Sequence, residues 1–376
     1  MRLPMSKVAS MIRTISIARK ESYPLIVGAN LERDLLISIK DIHANRVAII
    51  SDVTVAALHG KTLLRLLKSS GVPNDLITFP SGEKNKNQTT VTKMQNVLFK
   101  KRYGRDSLII ALGGGVVGDV AGFVAATYLR GVPYLQLPTS LLAMVDSSIG
   151  GKVGVDTLYG KNTIGAFYQP HAVLMELNFL AKLPRVQVIN GLLEAIKTFF
   201  TSDKSGLANA VRINLSQPLK TKTVLQKVIW QSIQVKSSIA ERDEKEENER
   251  RVLNFGHTIG HALEFLSDYR LPHGFAVGYG MLAESKISEL LGILPTKDFY
   301  FLKNYLAHFD VTSEPMEKFL SSAIIKSTKG DKKTEDGHPH YVLLEKIGKV
   351  YTKNGQYAHP VPDAVVKKAI QSLLLK

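Results

Sequence analysis

The chain has 376 residues, 44% of them hydrophobic and 22% charged, and this composition excludes collagen-like and intrinsically disordered proteins. The sequence contains no cysteine, which excludes disulfide scaffolds, thiolate nucleophiles and Cys-ligated metal sites and leaves His, Asp and Glu as metal ligands. A formal net charge of +16 is compatible with three kinds of anionic partner: a nucleic acid, a membrane surface or a multiply charged small molecule.

The distribution of charge along the chain reduces the number of candidate partners. Basic residues occur in short groups, without the long cationic block or interleaved aromatic residues of a nucleic-acid surface, so we expect no nucleic-acid partner. The residues before Glu21, the first acidic residue, faintly resemble a transit peptide and are interpreted as an ordinary basic N-terminus. The stretch 107–129 is long enough to cross a membrane, but five glycines and Asp119 favour a buried strand, a turn and a buried helix. We therefore expect no membrane span.

The first half of the chain alternates β-branched runs with amphipathic stretches, which is typical of a parallel sheet with crossover helices. Strands are predicted over residues 46–51, 75–79, 108–112, 134–137 and 173–177.

Beyond Pro184 the pattern becomes helical. Helices are predicted over residues 223–239, 253–266 and 276–291, with a hairpin over 341–352. The charged segment 241–251 is interpreted as a solvated helix end or loop. We therefore expect an α/β plus all-α fold, with a Rossmann-like parallel-sheet domain over residues 1–184 and a mostly helical domain over 185–376.

A predicted strand runs directly into the turn 113–119, whose G-x-G-x-x-G spacing is typical of a turn that binds pyrophosphate through backbone N–H groups. The usual ribose-binding acid is missing, since no Asp or Glu occurs between Asp119 and Asp146. Asp52, after the first strand, or the polar turn 79–86, after the second, could accept the ribose hydroxyls. The alternative is a glycine turn that only lets helix and sheet approach closely.

The segment 144–162 is crowded with glycines and polar residues, among them Asp146, Lys152, Lys161 and Asn162. Lysines set among glycines suit a loop that binds phosphate or carboxylate groups. A surface hairpin is the alternative interpretation.

Two histidines in the second half are spaced for a metal. His257 and His261 are four positions apart, which places both imidazoles on one helix face, with Glu264 one turn further along. The pattern is similar to the H-E-x-x-H of zinc proteases, but Thr258 occupies the position of their general base, so proteolysis is not expected.

Glu194 and His273 could complete the coordination, and the spacing alone does not say which histidines bind. One carboxylate and two imidazoles would leave positions open for substrate hydroxyls. A dinucleotide turn together with such a site predicts redox chemistry on a metal-held hydroxyl.

Several long motifs carry a family resemblance: GGGVVGD, LPTSLLAMVDSSIGGKVGVD, GKNTIGAFYQP, GLLEAIK, and NFGHTIGHALE followed by HG. In this order, from Asp52 to residues 331–333, they resemble the 3-dehydroquinate synthases. The resemblance implies a cytoplasmic, homodimeric lyase that uses NAD and zinc, with cobalt possible. Its substrate would be 3-deoxy-D-arabino-heptulosonate 7-phosphate (DAHP), converted to 3-dehydroquinate and phosphate.

The resemblance also assigns roles to residues. Glu194, His257 and His273 would bind the metal, and His261 would act as an acid or base beside it. NAD would contact residues from several turns: Asp52, Ser81, Gly82, Glu83, Lys84, Asn85, Lys86, Gly115, Val116, Val117, Gly118, Asp119, Thr139, Ser140, Lys152, Lys161, Phe179, Leu180, Ala181 and Lys182. The remaining catalytic and substrate-binding residues would be Arg130, Asp146, Lys152, Asn162, Lys197, Lys236, Arg250 and Asn254, with Lys332 or Lys333.

The implied reaction oxidises the substrate at C5 with NAD, eliminates phosphate, returns the hydride, opens the ring and closes it again by an aldol step. The chain departs from the family at Asp156, where Asn is usual, at Phe275, where an acid is usual, and in the loop at Leu158 and Tyr159. The alternative function is a metal-dependent polyol or alcohol dehydrogenase of related fold.

Sister cyclases that act on sedoheptulose 7-phosphate or glucose 6-phosphate tend to differ at Lys236, Arg250, Asn254 and His261. All four are retained here, which favours a substrate that bears a carboxylate.

Overall fold

The computed structural model describes residues 9–17, 21–329 and 338–374. The chain forms two compact units: Met1–Pro184 with Ser216–Ile233, and Arg185–Leu215 with Gln234–Lys376. The predicted division after Pro184 therefore needs one amendment, because Ser216–Ile233 belongs to the first unit. Within that unit, Gln226 Nε2 donates hydrogen bonds to the carbonyl oxygens of Ala9 and Val27 at 2.8 and 3.0 Å.

The first unit is built on a seven-stranded sheet with the order β1-β2-β9-β6-β5-β3-β4. Its strands are β1 (Met11–Ile17), β2 (Glu21–Gly28), β3 (Arg46–Asp52), β4 (Asn74–Phe79), β5 (Ser107–Gly113), β6 (Tyr134–Pro138) and β9 (Ala172–Glu176). Neighbouring strands are parallel except β1 and β2, which are antiparallel. The remaining strands, β7 (Lys152–Thr157) and β8 (Gly160–Phe167), form a separate antiparallel hairpin. All five strands predicted from the sequence are confirmed.

Helices cover both faces of this sheet. They are α1 (Glu32–Asp41), α2 (Lys61–Ser69), α3 (Gln88–Lys100) and α4 (Gly115–Thr127). One core cluster packs α3 and α4 against residues such as Ile109, and a second packs α1 and α2 against residues such as Ile110. Strands buried on both faces read as continuous apolar runs, which is why the parallel strands were recognisable. The carboxyl ends of β3, β4, β5 and β6 meet at one edge, where the predicted nucleotide turns begin.

The second unit is mostly helical, as predicted. Its helices are α5 (Arg185–Thr201), the end of α6 (Lys222–Arg242), α7 (His257–Leu266), α8 (His273–Leu290), α9 (Thr296–Ala307), α10 (Ser321–Thr328) and α11 (Asp363–Leu374). Short strands follow: β10 (His340–Tyr341), β11 (Leu344–Lys346), β12 (Lys349–Val350) and β13 (His359–Pro360). Pairing of β11 with β12 confirms a hairpin around Gly348, but its first strand is β11 and not the predicted 341–344, because Tyr341 pairs with His359 of β13.

The helix predicted over 253–266 is broken in the structure. Residues up to Asn254 belong to a 3-10 turn, Glu249–Asn254, and α7 begins only at His257. The break lies at Gly256, whose φ of 79° is left-handed and is readily adopted by glycine. Among the described residues, no helix has both the length and the apolar character needed to cross a membrane.

Candidate active site

In the first unit, the ends of β3 and β4 bring two predicted NAD residues together. The Asp52 carboxylate caps the turn after β3 by accepting the N–H groups of Thr54 and Val55 at 2.8 and 2.9 Å. Ser81, which follows β4, donates its hydroxyl to the same oxygen at 2.9 Å. Asp52 and Ser81 therefore place oxygen atoms at the carboxyl edge of the sheet. These oxygens are candidates to accept the ribose hydroxyls, because the chain lacks the acidic residue that ordinary dinucleotide sites have downstream of the glycine turn.

The glycine turn after β5 packs closely against two serine hydroxyls at the start of α4. A Cβ added at Gly114 would lie 3.3 Å from Ser140 Oγ, and one added at Gly115 would lie 3.1 Å from Ser147 Oγ. The Thr139 N–H joins the neighbouring turn to the Gly113 carbonyl at 2.9 Å. N–H groups at a helix start, lined by hydroxyls, suit a pyrophosphate.

A buried lysine organises the next part of the predicted NAD set. Lys86 is 4% exposed and forms an ion pair with Asp119 at 2.5 Å, and its ammonium also donates to Asn162 Oδ1. Burial would lower the pKa of Lys86, but the carboxylates of Asp119, Glu83 and Asp156 raise it. Lys86 therefore stays charged in the ordinary pH range.

The polar segment 144–162 leads into a hairpin, and its predicted role in binding phosphate or carboxylate groups stays a prediction. Residues 152–167 form the hairpin β7–β8, so the hairpin interpretation is confirmed. The Asp156 N–H donates to the Lys86 carbonyl at 2.8 Å, and Asp156 accepts the Asn162 N–H at 2.8 Å, so this departure from the family pattern is part of the lysine cluster. Leu158 and Tyr159, at the hairpin tip, are fully exposed.

The structure also describes three other predicted residues of this unit. Arg130 is exposed on a turn in which Leu129, Arg130 and Gly131 all have positive φ, a strained conformation. Asp146 lies in the π-helical turn Ala143–Ser147, and Lys161 pairs with Glu83 at 3.5 Å.

The segment predicted to bind NAD after β9 forms the 3-10 turn Leu177–Lys182. Its Phe179 ring packs on the His59 ring, with centroids 4.7 Å apart. Burial, with a smaller effect from Lys182, lowers the pKa of His59. Nothing in the sequence pattern around His59 had indicated this contact.

In the second unit, three predicted ligands converge. Glu194 Oε1 lies 3.3 Å from His273 Nε2 and 3.8 Å from His257 Nε2. Ligand atoms of a tetrahedral zinc ion, each bonded at about 2.0–2.1 Å, lie about 3.3 Å from one another. One oxygen and two imidazole nitrogens at these distances fit a divalent cation.

The other Glu194 oxygen has a different partner. Lys197, one turn along α5, lies 2.5 Å from Oε2, and both side chains are almost completely buried. Its ammonium stabilises the ionised carboxylate that metal binding requires. The predicted contact of Lys197 with substrate stays a prediction.

His273 is oriented from its other side. Its Nδ1 lies 3.0 Å from Glu264 Oε2, which leaves Nε2 directed at Glu194. Burial would lower the pKa of His273, but Glu264 and Glu194 raise it to about 10. The strongly negative surroundings that stabilise a protonated imidazole would equally attract a metal cation. Glu264 had been noticed only for its position on the helix face.

The structure now distinguishes the two histidines of α7. His257 faces Glu194, whereas the His261 ring lies 5.3 Å from the His257 ring and 5.9 Å from the His273 ring. His261, Glu264 and His273 form a second group of ligand atoms within 4.8 Å of one another. Glu264 faces Nδ1 of His273 and Glu194 faces Nε2, so the two carboxylates approach different nitrogens of the same ring.

The charged segment 241–251 is not simply solvated. Arg250 is only 3% exposed, so the interpretation as a solvated loop is wrong for this residue. Asp243 accepts the N–H groups of Glu247, Asn248 and Arg250 at 2.8–2.9 Å and folds the loop back. These donors outweigh the opposing effect of burial and lower the pKa of Asp243. Because the whole segment is rich in charged residues, the sequence does not single out Asp243 as the acceptor of these N–H groups.

The remaining substrate-binding candidates of this unit are also placed. Lys236 is 6% exposed on α6, and the Asn254 amide donates to Glu246 at 2.5 Å. Phe275, where the family usually has an acid, is buried on α8. Lys332 and Lys333 lie outside the described residues.

Comparison with known proteins gives consistent results over most of the chain. Two sequence models match, 3-dehydroquinate synthase N-terminal over residues 76–190 and 3-dehydroquinate synthase C-terminal over residues 191–334. The 3-dehydroquinate synthase of Syntrophotalea carbinolica is 37% identical over 88% of this chain and 91% of its own. That of Thermodesulfovibrio yellowstonii is 39% identical over 82% and 86%, respectively.

A solved structure agrees with the fold. A 2-deoxy-scyllo-inosose synthase complexed with carbaglucose-6-phosphate, NAD+ and Co2+ superimposes with a TM-score of 0.86 at 25% identity, covering 96% of this chain and 99% of its own. Together with the sequence matches, this establishes that the chain belongs to the 3-dehydroquinate synthase family.

Proposed function

We propose that this chain catalyses the conversion of DAHP to 3-dehydroquinate and phosphate, with NAD and a divalent cation, Zn2+ or Co2+, as cofactors. The observation that carries the proposal is the position of Glu194, whose Oε1 faces the Nε2 atoms of His257 and His273. The complex of the related cyclase with NAD+ and Co2+ supports this cofactor pair.

Different residues would bind the two cofactors. The N–H groups at the start of α4 would hold the NAD pyrophosphate, and Asp52 would accept ribose hydroxyls. Glu194, His257 and His273 would hold the cation. When bound, the two cofactors together supply a transient oxidation of one substrate hydroxyl. His261, beside the ligands, would hold a proton.

Buried cations favour an anionic substrate over a neutral one. Lys236 and Arg250 place two positive charges in nearly buried positions of the second unit, and a carboxylate or phosphate group on a substrate would be attracted to either. A neutral polyol would not, which disfavours the polyol dehydrogenase alternative.

The family resemblance also supports a cytoplasmic homodimer whose small-molecule partner is DAHP. Sedimentation velocity of the full chain tests the dimer, and a species of one chain mass at micromolar concentration would contradict it.

The deciding experiment measures phosphate release from DAHP with substoichiometric NAD, before and after chelation. We expect many turnovers per NAD, loss of activity on chelation and recovery with added zinc. Stoichiometric consumption of NAD on a polyol, without phosphate release from DAHP, would instead identify a dehydrogenase.

A further inference from the structure

The two histidines of the metal site occupy equivalent positions in their helices. His257 is the first residue of α7, and His273 is the first residue of α8. The residues before them, Gly256 and Pro272, have no side chain that can accept a hydrogen bond. A helix start normally needs such an acceptor, because its first N–H groups lack partners within the helix.

Both helix starts receive an acceptor from a neighbouring helix. Asn190 of α5, 7% exposed, accepts the Gly274 N–H through Oδ1 at 2.7 Å. Glu284 of α8, completely buried, accepts the Gly256 N–H at 2.8 Å and lies 3.5 Å from the Ile259 N–H. A buried carboxylate is costly unless its charge is stabilised, and the positive end of α7 provides that stabilisation.

The backbone around both acceptors has no free space. A Cβ at Gly274 would lie 1.9 Å from the Asn190 carbonyl oxygen, and one at Gly256 would lie 2.6 Å from the Val277 carbonyl oxygen. Neither helix start can therefore move closer to these carbonyl oxygens, and a movement away would lengthen the hydrogen bonds to Asn190 and Glu284. The acceptors therefore fix the backbone from which the two imidazoles project.

We propose that Asn190 and Glu284 are positioning residues that set the geometry of the metal site by capping the helices of His273 and His257. This inference rests on the proposed metal site. Neither side chain binds the cation: each acts through the helix start that bears a ligand. Asn190 lies one turn before Glu194 on α5, so one helix supplies both a ligand and the cap for a second ligand.

The test compares variants that remove or retain the acceptor. Asn190→Leu and Glu284→Met keep approximate volume and remove it, whereas Asn190→Asp and Glu284→Gln retain an oxygen. Ser285→Ala is the matched control, since the buried Ser285 hydroxyl is next to Glu284 on α8 and has no hydrogen-bond partner among the described residues. Zinc affinity is measured on metal-free protein by competition with a chromophoric chelator, and Co2+ absorption reports coordination geometry.

We expect the two acceptor-removing variants to bind zinc about 10- to 100-fold more weakly, the range for residues behind metal ligands, with an altered Co2+ spectrum. The acceptor-retaining variants should recover most of the affinity, and Ser285→Ala should match wild type. Wild-type affinity and spectrum in a folded Asn190→Leu or Glu284→Met protein would overturn the inference, so one folded variant suffices. If wild type itself bound no zinc, the proposed function would fail instead.

Discussion

At the scale of single residues, Glu194 has two distinct tasks. Oε1 faces the two imidazoles, and Oε2 pairs with Lys197 at 2.5 Å. The carboxylate is completely buried, so its charge depends on these partners. The local pattern GLLEAIK places Glu194 and Lys197 one turn apart, but only the folded chain shows which oxygen meets which partner.

Replacing this carboxylate should empty the metal site. We expect Glu194→Gln to retain no zinc after gel filtration, because the neutral amide is a poor ligand and an anionic charge is lost. Lys197 also loses its buried partner, so the free energy of unfolding of the metal-free protein should fall by about 3–5 kcal/mol. Metal content is measured by mass spectrometry and stability by urea unfolding.

The matched control is Glu345→Gln, which breaks an exposed pair with Lys349. It should keep its zinc and lose less than about 1 kcal/mol of stability. Full zinc occupancy in Glu194→Gln would show that a different carboxylate binds the metal.

The metal site also marks the limit of prediction at this scale. The spacing of His257 and His261 correctly placed both on one helix face, but it could not rank them. Their difference depends on where α7 begins, which is set by the left-handed Gly256 and by its contact with Glu284, 28 positions away. A contact so distant in sequence leaves no periodic signal.

At the scale of elements, α7 and α8 pack unusually closely. A Cβ at Gly280 would lie 1.8 Å from the Gly256 carbonyl oxygen, and one at Gly260 would lie 2.9 Å from the Ala276 carbonyl oxygen. Glycines at these crossings bring the two backbones together and so bring His257 close to His273. Helical periodicity in the sequence predicts both helices, but it does not predict the close backbone contacts that require glycine at these positions.

Gly280→Ala should therefore separate the helices. A methyl group so close to a backbone oxygen requires a backbone shift, which costs about 1–3 kcal/mol of stability and moves His257 relative to Glu194. We expect a lower melting temperature and weaker zinc binding. Gly278→Ala is the control on the same helix, because its nearest neighbour is the Val311 side chain at 2.8 Å, which can move more easily. Equal losses of zinc affinity in both variants would contradict this explanation.

The loop after α6 makes a pH-dependent contribution. The pKa of Asp243 is lowered in the folded state, so its stabilising contacts are present above the ordinary carboxyl pKa, about 3.9, and are lost as the pH falls through the lower folded value. Asp243→Asn should be less stable by about 1 kcal/mol from pH 5 to 8. The difference between the two proteins should shrink below about pH 4.

Urea unfolding of both proteins across this range measures that difference, and the KM for DAHP reports on Arg250, whose N–H Asp243 accepts at 2.9 Å. A difference that grew towards acid pH would have the wrong sign. The control is Asp310→Asn, which removes an exposed ion pair with Arg185 outside the loop.

At the scale of the whole molecule, the sequence predicted the fold class because both units have strong local patterns. Continuous apolar runs identified the buried parallel strands, and helical periodicity identified the second unit. It missed β1 and β2, whose residues mix apolar with charged and hydroxyl side chains. Only the residues before Glu21 are interpreted from the sequence, as a basic N-terminus, and no element is predicted over residues 21–28. The sequence likewise does not predict that Ser216–Ile233 belongs to the first unit, because this depends on a hydrogen bond from Gln226 to the Val27 carbonyl oxygen of β2.

The net charge of +16 belongs to the molecule as a whole, and it should accelerate capture of the anionic substrate. Raising the ionic strength from about 0.01 to 0.15 M shortens the screening length from about 30 to about 8 Å, so kcat/KM for DAHP should fall several-fold. The turnover of bound substrate takes place after capture, so kcat should change little. Sucrose at matched viscosity is the control for slower diffusion. A kcat/KM that is independent of salt would contradict steering, and the excess of basic residues would then need another anionic partner, for which duplex DNA as a competitor is the direct probe.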